Sequence, residues 1–234
     1  MKKVGSILNR FFLNKIGLGI VRYRTLEQIK REKWLTPFTI DKHAIRFLYI
    51  YNILQKIKNV QGCIVECGVA TGRTLLMVSY ILKYENQKRQ IIGYDTFEGL
   101  PPASEKDNEY AKGREGTMLV SQKEALNYLL KSNIGDDFID KIILIKGDVR
   151  DTLKDFTYGP ISLLHLDMDL YGGHKAALEI LYDKVVTGGV IMFDDFEDSK
   201  WEGATKAIHE FFGDLVKQFD YDPSIGKYYY IKRD

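Results

Sequence analysis

The chain has 234 residues, 45% of them hydrophobic and 28% charged, which is typical of a soluble globular protein with a full core. A formal net charge of +2 gives no overall reason to expect nucleic acid as a partner. No apolar run reaches the roughly 20 residues that span a bilayer, and two cysteines do not make a disulfide framework, so we expect a cytoplasmic protein.

The first 33 residues are strongly basic, with nine Lys or Arg against two Glu. Arg10 and Lys15 interrupt the apolar run that an export signal requires. Apolar residues still recur there at helical spacing, at Val4, Ile7, Leu8, Phe11 and Phe12. We predict a basic helical extension over residues 1–40. A helix packed on the domain or on a second subunit is favoured over a peripheral membrane contact through residues 1–33.

The remaining residues, 41–234, have the alternating pattern of one α/β domain. Helical spacing of apolar residues predicts helices over 41–58, 71–84, 174–183 and 202–212. Apolar, β-rich runs predict strands in "GCIVECG", in "RQIIGYDTF" and over 141–148, 161–169 and 188–196. This alternation is typical of a doubly wound, parallel sheet.

Two further β-like runs, 215–221 and 227–232, are separated only by "DPSIG". Such a short link favours a hairpin, and a hairpin pairs its strands antiparallel. The predicted fold is therefore α/β, with a doubly wound, mostly parallel seven-stranded sheet and an antiparallel C-terminal hairpin strand.

One long irregular stretch, residues 96–120, follows the second predicted strand. Loops of this length inside compact domains are usually lids or binding loops. We interpret it as a lid loop, with a disordered insertion as the alternative.

The turn after the first predicted strand, "ECGVATGR" (66–73), has the spacing E-x-G-x-x-x-G, unlike the G-x-G-x-x-G of dinucleotide sites. Gly68 and Gly72 allow the backbone to approach a ligand closely, and Glu66 suits a cationic or hydroxyl-bearing group better than a pyrophosphate. A merely tight structural turn explains the pattern equally well.

Acids also end the second and third predicted strands. Asp95 stands where α/β nucleoside sites bind ribose hydroxyls, and Asp148 with the backbone of Val149 is suited to an adenine edge. Asp148 is equally a good helix cap. Acids on three successive strand ends suggest a positively charged nucleoside without phosphates. S-adenosylmethionine fits this description, whereas NAD and ATP do not.

The fourth and fifth predicted strands end in "LDMD" and "FDD". If these strands are neighbours, Asp167, Asp194 and Asp195 face one crevice. Clustered carboxylates repel one another unless a cation lies between them, and oxygen ligands favour Mg²⁺, Mn²⁺ or Ca²⁺ over zinc. Helix capping or pairing with Lys or Arg is the alternative.

The motifs "VECGVATGRT", "YDTFEGLPP", "KGDVRDTL", "LDMDLY" and "GGVIMFDDFED" occur in an order that resembles the macrocin O-methyltransferase family. The resemblance covers about residues 23–232. It implies a class I methyltransferase domain over 41–234, S-adenosylmethionine as methyl donor and a divalent metal, usually Mg²⁺. The implied metal ligands are Asp167, Asp194 and Asp195, and the implied cofactor contacts are Glu66, Gly68, Thr71, Asp95, Asp148 and Val149.

This resemblance implies an O-methyltransferase that acts on a sugar hydroxyl of a natural product or surface glycan. We expect Asp169 or Asp194 to be the general base, since a carboxylate beside the metal can reach a coordinated hydroxyl. His174 is a weaker candidate, because an exposed helix-start histidine is the favoured interpretation. His165 is expected in the core and His209 on a helix surface.

Tyr171 is expected either to pack under the site or to line the acceptor pocket. The tyrosines 228–230 are expected to pack on an edge strand. Two other functions stay open: a Rossmann-type nucleotide-binding oxidoreductase, and a non-catalytic scaffold that binds a membrane or partner.

Overall fold

The computed structural model describes residues 42–132 and 134–233, so the predicted extension over 1–40 lies outside the described residues. The strands are β1 (Cys63–Cys67), β2 (Ile91–Asp95), β3 (Ile142–Lys146), β4 (Ile161–Leu166), β5 (Val185–Phe193), β6 (Asp220–Asp222) and β7 (Lys227–Ile231). The α-helices are α1 (Lys42–Lys56), α2 (Arg73–Tyr84), α3 (Glu109–Lys112), α4 (Gln122–Leu130), α5 (Asp136–Ile139), α6 (Val149–Thr152), α7 (Tyr171–Leu181) and α8 (Glu202–Phe212).

All seven strands form one sheet in the order β3-β2-β1-β4-β5-β7-β6. The first five strands of this order are parallel, whereas β7 pairs antiparallel with both β5 and β6. The predicted fold class, including the antiparallel C-terminal hairpin, is confirmed. The chain order reverses between β1 and β4, which is where open α/β sheets bind ligands.

Alternating side chains of each central strand enter two different cores, one on each face of the sheet. Val65 and Leu164 pack with α7 and α8 in one core, and Ile64 and Leu163 pack with α1, α2 and α4 in the other. These four side chains are at most 2% exposed, and burying each contributes about 2 kcal/mol. Burial on both faces explains why the parallel strands read as continuous apolar runs.

Three boundaries differ from prediction in ways that affect the site. The strand predicted over 161–169 ends at Leu166, and α7 begins at Tyr171, three residues before the predicted start. The prediction of a strand over 215–221 is wrong for most of that range. Gly213–Gln218 forms a 3-10 helix, and β6 begins only at Asp220. No helix among the described residues is long and apolar enough to cross a membrane.

Candidate active site

A cavity of about 520 Å³ opens at the carboxyl ends of the strands, beside the point where the order reverses between β1 and β4. The turn between β1 and α2 lines it, as do the acids that follow β2, β4 and β5. Of the residues predicted to bind a cofactor or metal, those that line it are Glu66, Gly68, Thr71, Asp95, Asp148, Val149, Asp167 and Asp194. Asp169 lines it as well, whereas Asp195 lies behind this wall.

Gly68 brings the ends of β1 and β4 into direct contact. Its φ is +95°, and a Cβ built on it would lie 1.7 Å from the backbone oxygen of Asp167. Asp167 in turn donates its backbone N–H to the Cys67 oxygen at 2.9 Å. Only glycine fits here, because both the backbone angle and the space exclude a side chain.

Asp95 organises the same turn from the end of β2. Its Oδ2 accepts the backbone N–H groups of Val69 and Ala70, both at 2.8 Å, and its Oδ1 accepts that of Phe97 at 2.7 Å. Three backbone donors make Asp95 a structural acceptor as well as a residue of the cavity wall. Its contact with a ribose stays a prediction.

Asp148 is the N-cap of α6. The helix-cap interpretation of this residue is therefore confirmed. It accepts the backbone N–H of Arg150 at 2.9 Å, and its Oδ2 lies 2.6 Å from Nη2 of the same residue. Burial acts to raise the pKa of the Asp148 carboxyl, but these bonds to Arg150 outweigh burial and lower it. Asp148 is therefore an anion fixed at the edge of the cavity.

The two acidic clusters meet. Because β4 pairs with β5, with Leu166 beside Phe193, the carboxylates that follow these strands converge. One oxygen from each of Asp167, Asp194 and Asp195 lies within 4.8 Å of the others. The predicted juxtaposition is present, and the donor set consists of oxygens, as hard divalent cations prefer.

Two basic side chains already contact this cluster. Arg46 from α1 donates Nη2 to Asp194 Oδ1, and its Nη1 lies 3.7 Å from Asp167 Oδ2. Lys227, the first residue of β7, lies 3.0 Å from Asp194 Oδ2 and also donates to the Asp194 backbone oxygen. Pairing with Lys or Arg, the alternative to a metal, is thus present at Asp194. Burial acts to raise its pKa, but His165, Arg46 and Lys227 outweigh burial and hold it well below the usual range.

Asp195 is 3% exposed and faces the start of α7. Its Oδ2 accepts the backbone N–H of Asp169 at 2.8 Å and lies 3.4 Å from Nε2 of His174. Burial, reinforced by neighbouring carboxylates, raises the pKa values of Asp167 and Asp195 well above their usual range. Both acids therefore retain protons more readily than Asp194.

Asp169 lines the cavity, but its position there does not come from strand alternation as predicted. The strand ends three residues earlier, and Asp169 has φ +65°, a backbone conformation that Asp tolerates better than most residues. Burial, followed by the charges of Asp167 and Asp194, raises the pKa of its carboxyl to about 7. An acid that titrates near neutrality suits proton transfer.

His165 is a core residue, as expected, and it lies between two acids. Its Nδ1 is 2.9 Å from Glu66 Oε1, and its Nε2 is 3.9 Å from Asp194 Oδ1. Burial acts to lower its pKa, but the nearby carboxylate of Asp194 and the hydrogen bond to Glu66 outweigh burial and raise it to about 10. His165 is thus a buried cation that connects the cofactor side of the cavity with the acidic cluster.

His174 is not the exposed residue that was expected. It is fully buried, and its Nδ1 donates to the Leu170 oxygen at 3.0 Å, because the early start of α7 turns it towards the core. Burial lowers its pKa to about 4. His209 is on the surface as expected, with 47% of its side chain exposed.

Tyr171 packs under the site rather than lining the cavity: it is 8% exposed and its hydroxyl donates to Glu210 Oε2 at 2.6 Å. Tyrosines 228–230 belong to β7, and Tyr230 is buried in the core, so the predicted packing is present. The expected edge position is wrong, because β7 lies between β5 and β6.

Buried polar atoms without a hydrogen-bond partner, in the part of the chain that the structure describes, gather around this cluster. They are Glu66 Oε2, His165 Nε2, His174 Nε2 and the hydroxyl of Tyr49, whose pKa burial and the charge of Asp194 raise. Native proteins satisfy nearly all such atoms with protein, water or ions. Several such atoms close together are typical of a site that binds a polar ligand or an ion.

The segment 104–112 of the predicted lid loop is docked on α8. Asp107 is 3% exposed, accepts the N–H of Ser104 at 2.8 Å, and fits against Gly203, where a Cβ would lie 1.8 Å from its Oδ1. Tyr110 packs edge-on against Trp201 at 5.4 Å. These contacts suit a binding loop better than a disordered insertion, and its role as a lid stays a prediction.

Sequence reasoning missed Arg46, Lys227 and Asp107. Arg46 and Asp194 are 148 positions apart, so no local pattern joins them. The sequence did contain a weak signal for Asp107. Ser, Asp and Asn are clustered in a stretch without periodicity, which is typical of a loop held by its own side chains.

Comparison with known proteins gives one family match. The model of the family described as macrocin-O-methyltransferase (TylF) matches residues 46–215. Demethyldecarbamoylnovobiocin O-methyltransferase of Streptomyces niveus is 29% identical over 144 residues, which are 59% of this chain and 54% of that protein. A tetracenomycin-type rhamnosyl 4'-O-methyltransferase of Streptomyces olivaceus is 26% identical over 162 residues, 66% of this chain and 59% of that protein. The chain thus spans only somewhat more than half the length of these curated relatives.

Solved structures share the fold. The O-methyltransferase NovP has a TM-score of 0.71 at 22% identity, covering 82% of this chain and 81% of that chain. The calicheamicin methyltransferase CalS11 has a TM-score of 0.73 at 24% identity, covering 91% and 95%. At these identities the likeness speaks for the architecture of the sheet and its helices.

Proposed function

The chain belongs to the macrocin O-methyltransferase family, and from that premise we propose that it transfers a methyl group from S-adenosylmethionine to a sugar hydroxyl of a small-molecule or glycan acceptor. One observation carries the proposal. The turn expected to hold the nucleoside lines the same cavity of about 520 Å³ as Asp167, Asp169 and Asp194, which are expected to serve the acceptor. Donor and acceptor would therefore be held side by side in one cavity, which is the positioning that a direct transfer needs.

The cavity wall fits the donor. Gly68 leaves backbone without a side chain at the mouth of β1, and Glu66 offers a buried Oε2 that has no hydrogen-bond partner. The residues that would hold the donor are Glu66, Gly68, Thr71, Asp95, Asp148 and Val149. When bound, S-adenosylmethionine supplies a methyl group on a cationic sulfonium, and a wall rich in fixed acids favours that charge.

The acidic cluster fits a divalent cation by its chemistry, since three carboxylate oxygens converge and buried polar atoms beside them have no partner. Asp167, Asp194 and Asp195 would hold it. A bound Mg²⁺ supplies Lewis acidity that makes an acceptor hydroxyl easier to deprotonate.

Of the two expected bases, Asp169 is better suited than Asp194 to accept the hydroxyl proton. Asp194 is held by Arg46 and Lys227, and its low pKa makes it a weak base. Asp169 lines the cavity and has a carboxyl pKa raised to about 7. Its backbone N–H bond to Asp195 fixes its position beside the cluster.

The relatives' names suggest which acceptors to test first. One relative is named for a rhamnosyl 4'-O-methylation, and CalS11 is described in one structure as a TDP-rhamnose 3'-O-methyltransferase. We propose rhamnose-type deoxysugars, as nucleotide sugars, glycosides or glycan ends, as the acceptor class. The family assignment favours this function over the oxidoreductase alternative.

The test measures transfer of labelled methyl from S-adenosylmethionine to a panel of deoxysugar nucleotides, rhamnosides and glycan extracts. Each acceptor is assayed with Mg²⁺, with EDTA and with EDTA followed by excess Mg²⁺. We expect transfer that EDTA abolishes and Mg²⁺ restores. Asp167→Asn and Asp169→Asn should lose activity, whereas the exposed Asp151→Asn should keep it.

Two results would contradict parts of the proposal. Full methyl transfer in excess EDTA would refute the role of the metal. Binding of NAD without binding of S-adenosylmethionine or its demethylated product would remove the methyltransferase assignment for this chain.

A further inference from the structure

Asp194 has basic partners at both of its carboxylate oxygens. Arg46 donates to Oδ1 and Lys227 lies 3.0 Å from Oδ2, while the second arm of the Arg46 guanidinium is 3.7 Å from Asp167. Arg46 therefore bridges two of the three acids proposed as metal ligands. A divalent cation between these acids would stand close to a guanidinium of the same sign, and like charges at such distances repel strongly in a partly buried site.

The two basic residues differ in how they are held. Lys227 also donates to the Asp194 backbone oxygen, so a second bond fixes its ammonium group. Arg46 contacts the cluster only through the carboxylates, comes from α1 outside the sheet, and lines the open cavity with 25% of its side chain exposed. It can leave the acids for solvent in the cavity without losing a backbone partner there.

We propose that Arg46 is a resident counter-ion that competes with the divalent cation for Asp167 and Asp194, and that cation binding moves its guanidinium off these acids. The proposal rests on the metal site of the proposed function and adds a residue to it. Arg46 holds the acids together while no metal is bound, and it sets how tightly the metal binds. It is a positioning residue, since it acts through the carboxylates.

A purely structural ion pair predicts a different outcome. If Arg46 only stabilised the fold, its removal would weaken the site and lower the affinity for Mg²⁺, or leave it unchanged. If it competes, its removal raises the affinity for Mg²⁺ while lowering the stability of the metal-free protein. The opposite signs of the two effects separate the interpretations.

The experiment titrates MgCl₂ into the full chain by calorimetry and records thermal unfolding in EDTA and in excess Mg²⁺. Arg46→Gln should bind Mg²⁺ at least about tenfold more tightly than wild type, because one charge leaves the immediate site. It should unfold at a lower temperature in EDTA and recover most of that loss in Mg²⁺. Arg46→Lys keeps the charge and should bind more like wild type.

Arg73→Gln is the matched control. Arg73 lines the same cavity, and its Nη1 lies 3.5 Å from His43 Nδ1 rather than beside an acid of the cluster. It removes one positive charge without touching Asp167 or Asp194, so its Mg²⁺ affinity should change by no more than about twofold. If Arg73→Gln gained as much Mg²⁺ affinity as Arg46→Gln, the effect would come from the overall charge of the cavity. That result would overturn the proposal that Arg46 competes with the cation.

A second measurement needs no variant. In wild-type protein, Mg²⁺ should shift the side-chain guanidinium resonance of Arg46 in NMR spectra and leave that of Arg73 in place. An Arg46 signal that does not move at saturating Mg²⁺ would overturn the proposal.

The outcomes also separate this inference from the proposed function. Equal Mg²⁺ affinity in wild type and Arg46→Gln, with transfer still dependent on Mg²⁺, would refute only the role of Arg46. No Mg²⁺ binding in either protein, with transfer complete in EDTA, would refute the metal site and the competition together but leave the methyltransferase assignment standing.

Discussion

The Asp107 carboxylate accepts the backbone N–H of Tyr171 at 2.9 Å, across 64 positions of sequence. This bond joins the middle of the long loop to the first turn of α7, the helix that carries His174 next to Asp195. The loop and the acidic cluster are therefore mechanically connected through the start of one helix.

Asp107→Ala should loosen this connection. The change leaves the N–H groups of Tyr171 and Ser104 without their acceptor, and unsatisfied buried donors cost about 1 to 3 kcal/mol of the free energy of unfolding. Urea unfolding measures the loss, and hydrogen exchange should increase over residues 104–112. Glu105→Ala, an exposed neighbour in the same loop, is the control and should change neither. Unchanged exchange in Asp107→Ala would show that the other contacts of the segment, such as the packing of Tyr110 on Trp201 and the bond from Asn108 to the Ser199 oxygen, are enough to hold it.

Gly68→Ala should abolish cofactor binding. Its Cβ would lie 1.7 Å from the Asp167 backbone oxygen, so β1 and β4 would have to separate where the cavity begins. Gly159 is a precise control, because it has φ +94° and no atom within 4 Å of a built Cβ. Gly159→Ala should cost only the backbone strain of about 1 kcal/mol, whereas Gly68→Ala adds about 2 kcal/mol or more of overpacking.

The measurements are urea unfolding and calorimetric binding of S-adenosylhomocysteine. Equal losses of stability in the two glycine variants would mean that glycine is required at position 68 for its backbone angle and not for the close contact with Asp167.

Binding of Mg²⁺ should release protons near neutral pH. The metal-free carboxyl of Asp169 titrates with a pKa of about 7, and the pKa values of Asp167 and Asp195 are raised as well. A cation held by Asp167 and Asp195 displaces their protons, and its charge also favours the ionised form of the neighbouring Asp169, so affinity should rise with pH up to and above pH 7. Calorimetry at pH 6.5 in two buffers of different ionisation enthalpy counts the protons. An identical heat in both buffers would contradict the raised pKa values.

The stability of the metal-free protein should fall as pH rises from about 6.5 towards 10. His165 has a folded pKa of about 10 against 6.5 for the free side chain, so its protonated form stabilises the fold below the lower value and is lost through the higher one. Urea unfolding in EDTA at several pH values should show this slope in wild type. In His165→Asn the slope should be shallower than in wild type, and an equal slope would contradict the role of His165.

The convergence of the acids was predictable, and the conformation of the chain just after β4 was not. Asp167 and Asp194 follow apolar runs that read as buried parallel strands, and parallel strands bring their carboxyl ends to one edge. The prediction for Asp169 required three more residues of strand after Leu166, but the backbone of Asp169 is left-handed and is fixed by the bond to Asp195. That bond spans 26 positions, beyond any local pattern.

The burial of His174 did have a signal in the sequence. His174, Ala177, Leu178 and Leu181 are all buried in α7 and follow the spacing i, i+3, i+4, i+7 of a core-facing stripe. The prediction failed because the helix was expected to start at position 174 itself, where a polar residue reads as a cap. The contacts of Arg46 and Lys227 with Asp194, in contrast, are purely tertiary, and they decide the electrostatics of the site.

The two cations that flank Asp194 come from opposite ends of the described chain: Arg46 from its first helix and Lys227 from its last strand. Asp194 is therefore synthesised some thirty residues before its second counter-ion. Until β7 pairs with β5, Asp194 lacks the ammonium group of Lys227. The charge balance of the site is thus complete only when the final strand has joined the sheet.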